Sequence, residues 1–384
     1  MKKYLSALFL LCAILALAGE AEAMRLGSFD VSPFLAVTER YTDNVFNTKD
    51  DTKSDFSTVI SPGIQLVFPR FKRRYRLELL YQADFERFNR FSSQNDADNH
   101  KANAKFDLSL PVGLDLHVSD GFRRTHDPRG VSLSPELDFY SDNLFSAGAA
   151  YSLTDRFTAQ VDYSNYVLNY DAQRNSFRNR TDNSFDGYLF YRFMPKTSAF
   201  VEYEYVVVDF KKSGTLDNLD NREHHLFGGI TWDVTGKTKG TVKAGYGTQS
   251  FDDPSKKGYR GYIMEISIDH KFSSRDSLKL SGSRATNETN LLGADYFVTT
   301  FLSAEYFHRL TGKITANASL GYERDSYRGV SRDDDTWTAG AGLSYQFKRW
   351  LLTEVGYSYT NRNSTFDEFT YRNDTVFFRI VGTL

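Results

Sequence analysis

The sequence contains a single cysteine, Cys12, among 384 residues. We expect this residue to be removed with an N-terminal signal peptide, so the mature chain should contain no cysteine. Disulfides, thiol catalysis and thiolate metal sites are then excluded. The residues before Cys12 are Phe9, Leu10 and Leu11, which are not the small residues of a lipoprotein cleavage site.

The first 23 residues have the three-part layout of a secretory signal peptide. Lys2 and Lys3 precede an apolar stretch from Tyr4 to Ala18, and the segment ends on a small-x-small site, Ala21-Glu22-Ala23. The alternative is an uncleaved anchor, but a spanning helix needs about 20 apolar residues and this stretch is shorter. The sequence therefore predicts Sec-dependent export, with residues 1–23 as signal peptide and residues 24–384 as the mature protein.

Long apolar runs are absent beyond this segment, the mean hydropathy is −0.48, and a quarter of the residues are charged. This composition excludes a helical membrane protein, but it suits a soluble β protein or a β-barrel that shows lipid only alternate residues. Only eight prolines occur and no linker is visible, which indicates a single domain. The formal net charge of −2 predicts no nucleic-acid partner.

What the chain does have is alternation, from about residue 30 to Leu384. Successive side chains of a strand point to opposite faces, and here one phase is apolar while the other is polar and charged. Behind a secretory signal, this repeated pattern predicts an all-β transmembrane barrel, antiparallel and up-and-down, in the outer membrane of a Gram-negative cell. One example of the apolar phase is Tyr75, Leu77, Leu79, Tyr81, Ala83 and Phe85.

Short polar turns alternate with longer polar segments along the chain, which predicts short periplasmic turns and longer extracellular loops. About eight turns and nine loops give about 18 strands, with 16–20 as the range. The predicted turns are Pro69–Lys72, Leu110–Gly113, Leu153–Asp155, Met194–Lys196, Val234–Lys237, Ser273–Asp276, Leu310–Lys313 and Phe347–Trp350. Predicted loops include Asn47–Lys53, Asn89–Asn99, His126–Phe139, Asp171–Arg180 and Gly329–Asp335.

Two features qualify this pattern. Pro33 and Pro62 fall inside the first two predicted strands, where proline predicts a bulge or local irregularity.

Soluble alternatives to the barrel are a sandwich, a β-helix and a propeller with a repeat of about 40 residues. The two long alternating stretches in each repeat favour the barrel.

No catalytic motif stands out, and we expect no enzyme activity, cofactor or metal. His126 and Asp127 lie near Ser132 and Ser134, but such a set is more simply explained as solvated loop residues. His224 and His225 should face opposite sides of a strand and not share a metal ion. The run Asp333-Asp334-Asp335 predicts a solvated acidic loop tip.

The informative set is the charge in the polar phase, which should line the lumen. A ring of about 18 strands is wide enough for an aqueous channel, and water stabilises charges there. Acids outnumber bases, which predicts a weak preference for cations; the alternative is that the charges only pair across neighbouring strands. The candidate pore-lining residues are Arg74, Arg76, Glu78, Asp84, Glu202, Glu204, Glu265, Asp269, Glu305, Glu354 and Arg379. Aromatic residues in the same phase are Tyr166, Tyr188, Phe190, Phe227 and Phe307.

The segment Thr38–Phe46, which contains YTDNVF, and the SPG sequence at Ser61–Gly63 resemble the beta-barrel porin 2 family of outer-membrane proteins. The resemblance implies a barrel with a pore. It also implies an envelope-polysaccharide context, because members often accompany exopolysaccharide export or exosortase-type systems. Expected partners are outer-membrane lipid and lipopolysaccharide, the barrel-assembly machinery and polysaccharide-export components.

These observations predict a porin-like channel for passive passage of small solutes or saccharides, narrowed by a loop such as His126–Phe139. The alternatives are a structural or partner-gated barrel with an occluded lumen and, less simply, a loop-borne enzyme.

Overall fold

The computed structural model describes residues 24–69, 74–132, 134–211, 218–233, 236–289 and 291–384. Eighteen long antiparallel strands, β2 to β19, each pair with the next, and β19 pairs with β2 to close the ring. A three-residue strand, β1, pairs with the beginning of β2. The predicted all-β, up-and-down barrel of about 18 strands is therefore confirmed.

The strands follow one another along the chain with little else between them. They are β1 (Met24–Leu26), β2 (Phe29–Thr42), β3 (Asp55–Phe68), β4 (Tyr75–Phe88), β5 (Ala97–Leu110), β6 (Leu114–His126), β7 (Phe139–Ser152), β8 (Phe157–Tyr170), β9 (Arg180–Met194), β10 (Thr197–Phe210), β11 (Asn221–Asp233), β12 (Thr238–Phe251), β13 (Arg260–Lys271), β14 (Asp276–Glu288), β15 (Tyr296–Arg309), β16 (Ile314–Arg328), β17 (Asp333–Lys348), β18 (Leu351–Ser364) and β19 (Tyr371–Thr383). The helical segments are α1 (Ser92–Asn95) and two 3-10 turns (Gln173–Arg178, Asp367–Phe369). Among the described residues, no helix has the length and apolar character needed to cross a membrane.

The strands place their apolar phase outside. On β10 and β11, for example, Val201, Tyr203 and Leu226 are about half exposed and belong to one face. Glu202 and Phe227, which lie opposite each other in the register, belong to the other face and are almost fully buried. An apolar exterior around a polar interior is the arrangement of a barrel in lipid.

Short connections lie at one end of the barrel, the turn end, where β2 begins and β19 ends. Longer segments lie at the other end, the loop end, which outer-membrane barrels turn to the extracellular side. Two predicted loops are shorter than expected, because β5 already begins at Ala97 and β17 at Asp333. Residues 70–72 and 234–235 of two predicted turns and residue 133 of the predicted loop His126–Phe139 lie outside the described residues, as does the predicted signal peptide.

Pro62 interrupts one ladder without shifting its register, while the register at Pro33 is continuous. β3 pairs with β4 at Ile60–Phe85 and again at Gly63–Gln82, so the ladder skips Pro62 but keeps its alignment. The predicted irregularity is present, and a bulge is not. Gly63 lies next to it, and the Phe34 ring occupies the space that a Cβ would take, 2.1 Å from Cζ, so a larger residue would displace this ring.

Candidate channel and its constriction

The inner wall carries a chain of charges across β10 to β13. The Lys243 ammonium lies 2.8 Å from Glu202 Oε1 and 3.1 Å from Glu265 Oε2, and it also lies 4.4 Å from the centre of the Phe227 ring. Glu202 is 2% exposed, whereas Glu265 is exposed. Lys243 therefore neutralises one buried and one exposed carboxylate at once.

A second charged group lies beside the first, toward the loop end. The His225 ring lies 2.7 Å from Glu204 through Nδ1 and 3.1 Å from Glu223 through Nε2. His224 faces the opposite side, where its Nδ1 is 2.7 Å from the Tyr203 hydroxyl. The prediction that the two histidines cannot share a metal ion is thus met by the geometry.

The other predicted pore-lining residues are distributed around the ring. Glu354 and Arg379 pair at 3.4 Å, Arg76 pairs with Glu78, and Gln82 donates to Asp84. Asp269 and Glu305 lie opposite Lys279 on its two neighbouring strands. Arg74 precedes the first residue of β4 and lies at the turn end, not on the strand where the alternation placed it.

One carboxylate group on the wall has the geometry for a metal ion. Single oxygens of Asp186, Glu202 and Glu204 lie within 4.8 Å of one another. Lys243 and His225 already pair with Glu202 and Glu204. The cluster is therefore explained as part of the charged wall.

Aromatic residues form a patch on the inner wall near the turn end. The rings of Tyr188 and Phe190 are stacked, with centroids 5.8 Å apart and planes at 13°. Both contact Phe200, at 6.4 and 5.2 Å between centroids. Such a surface can stack against the apolar face of a sugar ring, in the way that aromatic side chains stack on one another.

The loop between β6 and β7 folds into the lumen, and Arg129 fixes it there. The Arg129 guanidinium donates to Asn95 Oδ1 at 3.0 Å and to the carbonyls of Gln94, Ser134 and Pro135 at 2.6, 3.2 and 2.9 Å. Burial lowers the pKa of Arg129, but an arginine keeps its charge in proteins. This single side chain therefore connects the loop to the segment after β4.

The tip of the same loop reaches strands on the other side of the ring. The Gly130 carbonyl accepts from Arg362 of β18 at 3.3 Å, and Asn47 donates to the Arg129 carbonyl at 2.8 Å. Gly130 has a φ of +87°, and a Cβ there would lie 3.1 Å from the Tyr371 ring. The described residues of loop 127–138, all but residue 133, thus cross the lumen at the loop end, in the region where the sequence predicted a narrowing loop.

A second element enters the lumen from the opposite wall. β13 and β14 pair only from Lys271–Ser277 to Met264–Arg284, after which β14 and β15 continue as a pair up to Glu288–Tyr296. Tyr296 and Val298 are 4% and 2% exposed and pack in one cluster with Phe227 and Ile263 of the inner wall. The loop-end part of the β14–β15 hairpin therefore lies inside the barrel, over the inner face of β11 to β13.

Polar contacts hold this inward hairpin as well. The Glu288 carboxylate accepts from Asn221 at 2.9 Å and from Gln249 at 3.3 Å. Thr286 donates to Glu223 at 3.1 Å. These hydrogen bonds add to the apolar packing that seats the hairpin, although Asn221 Oδ1, Gln249 Oε1 and Glu288 Oε2 have no hydrogen-bond partner among the described residues.

Between loop 127–138, the hairpin and the wall lies a cavity of about 390 Å³. Its lining includes Val131, Asn287, Phe297, Thr299, Glu323, Asp325 and Arg362. The volume falls in the range of small-molecule sites. It is the space that a solute would occupy in the narrow part of the lumen.

Neither loop cluster singled out in the sequence is a free solvated group. His126 Nδ1 is 2.8 Å from the Asp127 carbonyl, Asp127 pairs with Arg178, and Ser132 donates to Asp138. The structure therefore assembles no Ser/His/Asp triad from them. The prediction of a solvated tip was wrong for Asp334, which is 1% exposed.

Asp334 is buried because two arginines hold it. Arg332 binds it through Nη2 at 2.7 Å, and Arg362 of β18 also pairs with it. The Arg332 guanidinium lies 3.6 Å from the centre of the Phe369 ring. Arg332 is two residues from Asp334, but Arg362 and Phe369 belong to segments distant in sequence, so alternation and composition could not have revealed their contacts.

Sequence reasoning also missed the inward hairpin, although one signal was present. The apolar phase of β14 holds Leu278 and Leu280 but continues as Arg284, Thr286 and Glu288. Polar residues in the phase that should face lipid indicate that the strand leaves the wall there.

An apolar exterior, a charged interior and a closed ring of 18 strands define an outer-membrane β-barrel. The family described as "Putative beta-barrel porin 2" matches residues 18–382, and the chain belongs to this family. No curated protein matches the sequence.

Among solved structures the chain is similar to OpdK of Pseudomonas aeruginosa, determined with vanillate, at 10% identity over 92% of this chain and 98% of that one, with a TM-score of 0.48. It is similar to a bacterial polysaccharide outer membrane secretin at 10% identity over 92% and 98%, with a TM-score of 0.38. It is also similar to the FrpB iron transporter of Neisseria meningitidis at 10% identity over 86% of this chain and 62% of that one, with a TM-score of 0.45. This chain therefore spans about three fifths of the length of FrpB. Similarities this low carry no functional argument.

Proposed function

We propose that this protein is a porin-like channel through which small polar solutes or saccharides pass passively. The observation that carries the proposal is the contrast between the inner wall at the turn end, which is charged and open, and the narrow 390 Å³ cavity at the loop end. Water in the lumen stabilises charges that would be costly in a packed core.

The charge of the wall supports a weak preference for cations. Of the eleven proposed pore-lining residues eight are acidic and three basic, and Arg74 lies at the turn end. The cavity lining holds two carboxylates, Glu323 and Asp325, and one guanidinium, Arg362, so acids outnumber bases in the narrow part as well. Rings of carboxylates favour cations in channels.

The stacked Tyr188 and Phe190 support saccharides as solutes, since their rings offer an apolar face beside charged groups. A connection to exopolysaccharide export, with export components as partners, is the more specific form of this proposal. Its support is the family resemblance.

The proposal includes how the chain reaches the membrane. A signal peptide at residues 1–23 directs its export, and the barrel-assembly machinery inserts it. The alternating last strand, β19, is the element that this machinery would recognise. No catalytic step is proposed for this chain.

The experiment is single-channel recording of the refolded protein in planar bilayers, with a salt gradient and with added oligosaccharides. Steady conductance steps, a reversal potential of the cation-selective sign and block by a saccharide are expected. A heat-modifiable, folded barrel without conductance would contradict the channel and would favour the occluded or partner-gated barrel, which the inward loop and hairpin also suit.

A further inference from the structure

The seam between β13 and β14 is the weakest place in the wall. Its ladder has eight residue pairs, against nine for the closing pair β19–β2 and more for the other neighbours in the ring. The loop-end residues of β13, from Arg260 to Ile263, have no partner on β14 because β14 turns inward after Arg284. The outer surface therefore has a notch at this seam, near the loop end.

Two arginines flank the notch on the lipid-facing side. Arg260 is in register with Thr248, and Arg284 with Met264 and Thr300, all in the outward phase. About four residues of β13 separate them along the strand, or about 13 Å at the rise of a strand. Neither arginine forms an ion pair with any described residue.

Five other outward-facing arginines near the loop end have a carboxylate partner, whereas Arg328, the last residue of β16, donates to the Tyr327 carbonyl. The five pairs are Arg87–Asp98 at 2.6 Å, Arg124–Asp171 at 2.6 Å, Arg222–Asp252 at 3.4 Å, Arg324–Asp335 at 3.9 Å and Arg372–Asp374 at 3.0 Å. Charge on the lipid face of a barrel is unfavourable unless it lies near an interface, and pairing offsets part of that cost. The notch is the place where two such charges lack a protein anion.

Arg284 is held in a fixed orientation by contacts that leave its charge unneutralised. Its guanidinium lies 4.4 Å from the centre of the Tyr262 ring, and Nη1 donates to the Thr300 hydroxyl at 2.5 Å. Its Nε is buried without a hydrogen-bond partner. The remaining nitrogen, Nη2, can donate to a phosphate oxygen, an acceptor that guanidinium groups bind well.

We infer that this notch binds a phosphate group of lipopolysaccharide in the outer leaflet, with Arg260 and Arg284 as the ligating residues. The lipid source is favoured over free phosphate because the neighbouring outward residues, Tyr246 and Tyr262, are more than half exposed on the lipid-facing surface. Acyl chains can lie on these rings while the headgroup phosphates contact the arginines. Aromatic residues commonly mark this interfacial depth of a barrel.

Native mass spectrometry of the refolded full chain, with diphosphorylated lipid A added at increasing concentration, tests the inference. We expect the Arg260→Gln/Arg284→Gln variant to bind lipid A about tenfold more weakly than the unchanged protein. The loss of one hydrogen bond to a charged group weakens binding by about tenfold or more. The matched control is Arg222→Gln/Arg372→Gln, which removes two acid-paired arginines at the same end and should change binding less than twofold.

Two further additions separate the sources of phosphate. Dephosphorylated lipid A should bind no better to the unchanged protein than to the double variant, and inorganic phosphate should not displace lipid A at equal concentration. Equal binding by the unchanged protein and the double variant would overturn the inference, as would an equal loss in the control. Displacement of lipid A by inorganic phosphate would overturn the lipid source and would show that the two arginines bind free phosphate. Heat modifiability of each variant establishes that it is folded.

Discussion

The two ends of the lumen differ in how their polar residues are held. At the turn end the wall charges are paired loosely and face open space, as with Glu354 and Arg379 at 3.4 Å and more than a quarter exposed. At the loop end polar residues such as Asn221, Arg332 and Asp334 are 1% exposed, and each forms a hydrogen bond to another protein group. The same alternating strands thus form an open vestibule at one end and a packed constriction at the other.

This difference shows where the selectivity of the barrel should arise. A charge in an aqueous vestibule acts on solutes weakly, because water screens it. A charge or a hydrogen bond in a dry, narrow cavity acts strongly. Changes at the loop end should therefore alter both conductance and ion preference, while changes at the turn end should alter ion preference only slightly.

The largest effect should come from removing the tip of loop 127–138. Replacing residues 129–136 by a short Gly-Ser linker removes the contacts of Arg129 and Gly130 across the lumen, so single-channel conductance should rise several-fold. An unchanged conductance in a folded, heat-modifiable barrel would show that this loop does not limit the pore.

The next effect concerns the inward hairpin. Tyr296→Ala should lower the free energy of unfolding by about 3 kcal/mol, because a large buried aromatic leaves a cavity, and it should raise conductance as the hairpin loosens. Urea unfolding and bilayer recording measure the two results. Tyr246→Ala, at an outward position, is the control and should leave conductance unchanged; equal conductance in both variants would argue against a seated hairpin.

A third comparison sets a buried ion pair against an exposed one. Lys243→Met should destabilise the barrel by about 3 kcal/mol, because it leaves Glu202 buried without a counter-charge. Arg379→Gln should cost less than about 1 kcal/mol, since its pair with Glu354 is partly solvated. Restoration of stability in the Lys243→Met/Glu202→Gln double variant would identify the unpaired carboxylate as the cause, and failure of that rescue would exclude it.

The smallest effect is expected for vestibule charges. Glu354→Gln together with Asp269→Asn should reduce the cation preference slightly, with little change in conductance. Reversal potentials across a salt gradient measure this. A larger shift here than for Glu323→Gln with Asp325→Asn in the cavity would reverse the proposed ranking of the two ends.

Much of the fold was predictable from local pattern. The alternation in β4, from Tyr75 to Phe85, requires only strand geometry and a two-sided environment. Turn spacing then gave the number of strands, which the structure confirms. Two predicted loops extended past the residues at which the next strands begin, Ala97 and Asp333, because polar residues can continue a strand beyond the membrane.

The constriction was only partly predictable. Loop 127–138 was expected to narrow the pore from its length, but its anchor through Arg129 to Gln94 and Asn95 depends on a segment about 35 residues away. The inward turn of β14 depends on packing between Tyr296 and Ile263, and the sequence signals it only through polar residues in the apolar phase of β14. The burial of Asp334 likewise depends on a contact between segments distant in sequence, its ion pair with Arg362 of β18.

The most direct test of a lumen narrowed only at its loop end is polymer access from each side. Neutral polyethylene glycols of graded size are added to one compartment of a bilayer holding oriented channels, and the conductance is recorded. Small polymers added on the turn side should enter the vestibule and lower the conductance, while the same polymers on the loop side should be excluded. Equal effects from both sides, or no conductance at all, would contradict the account.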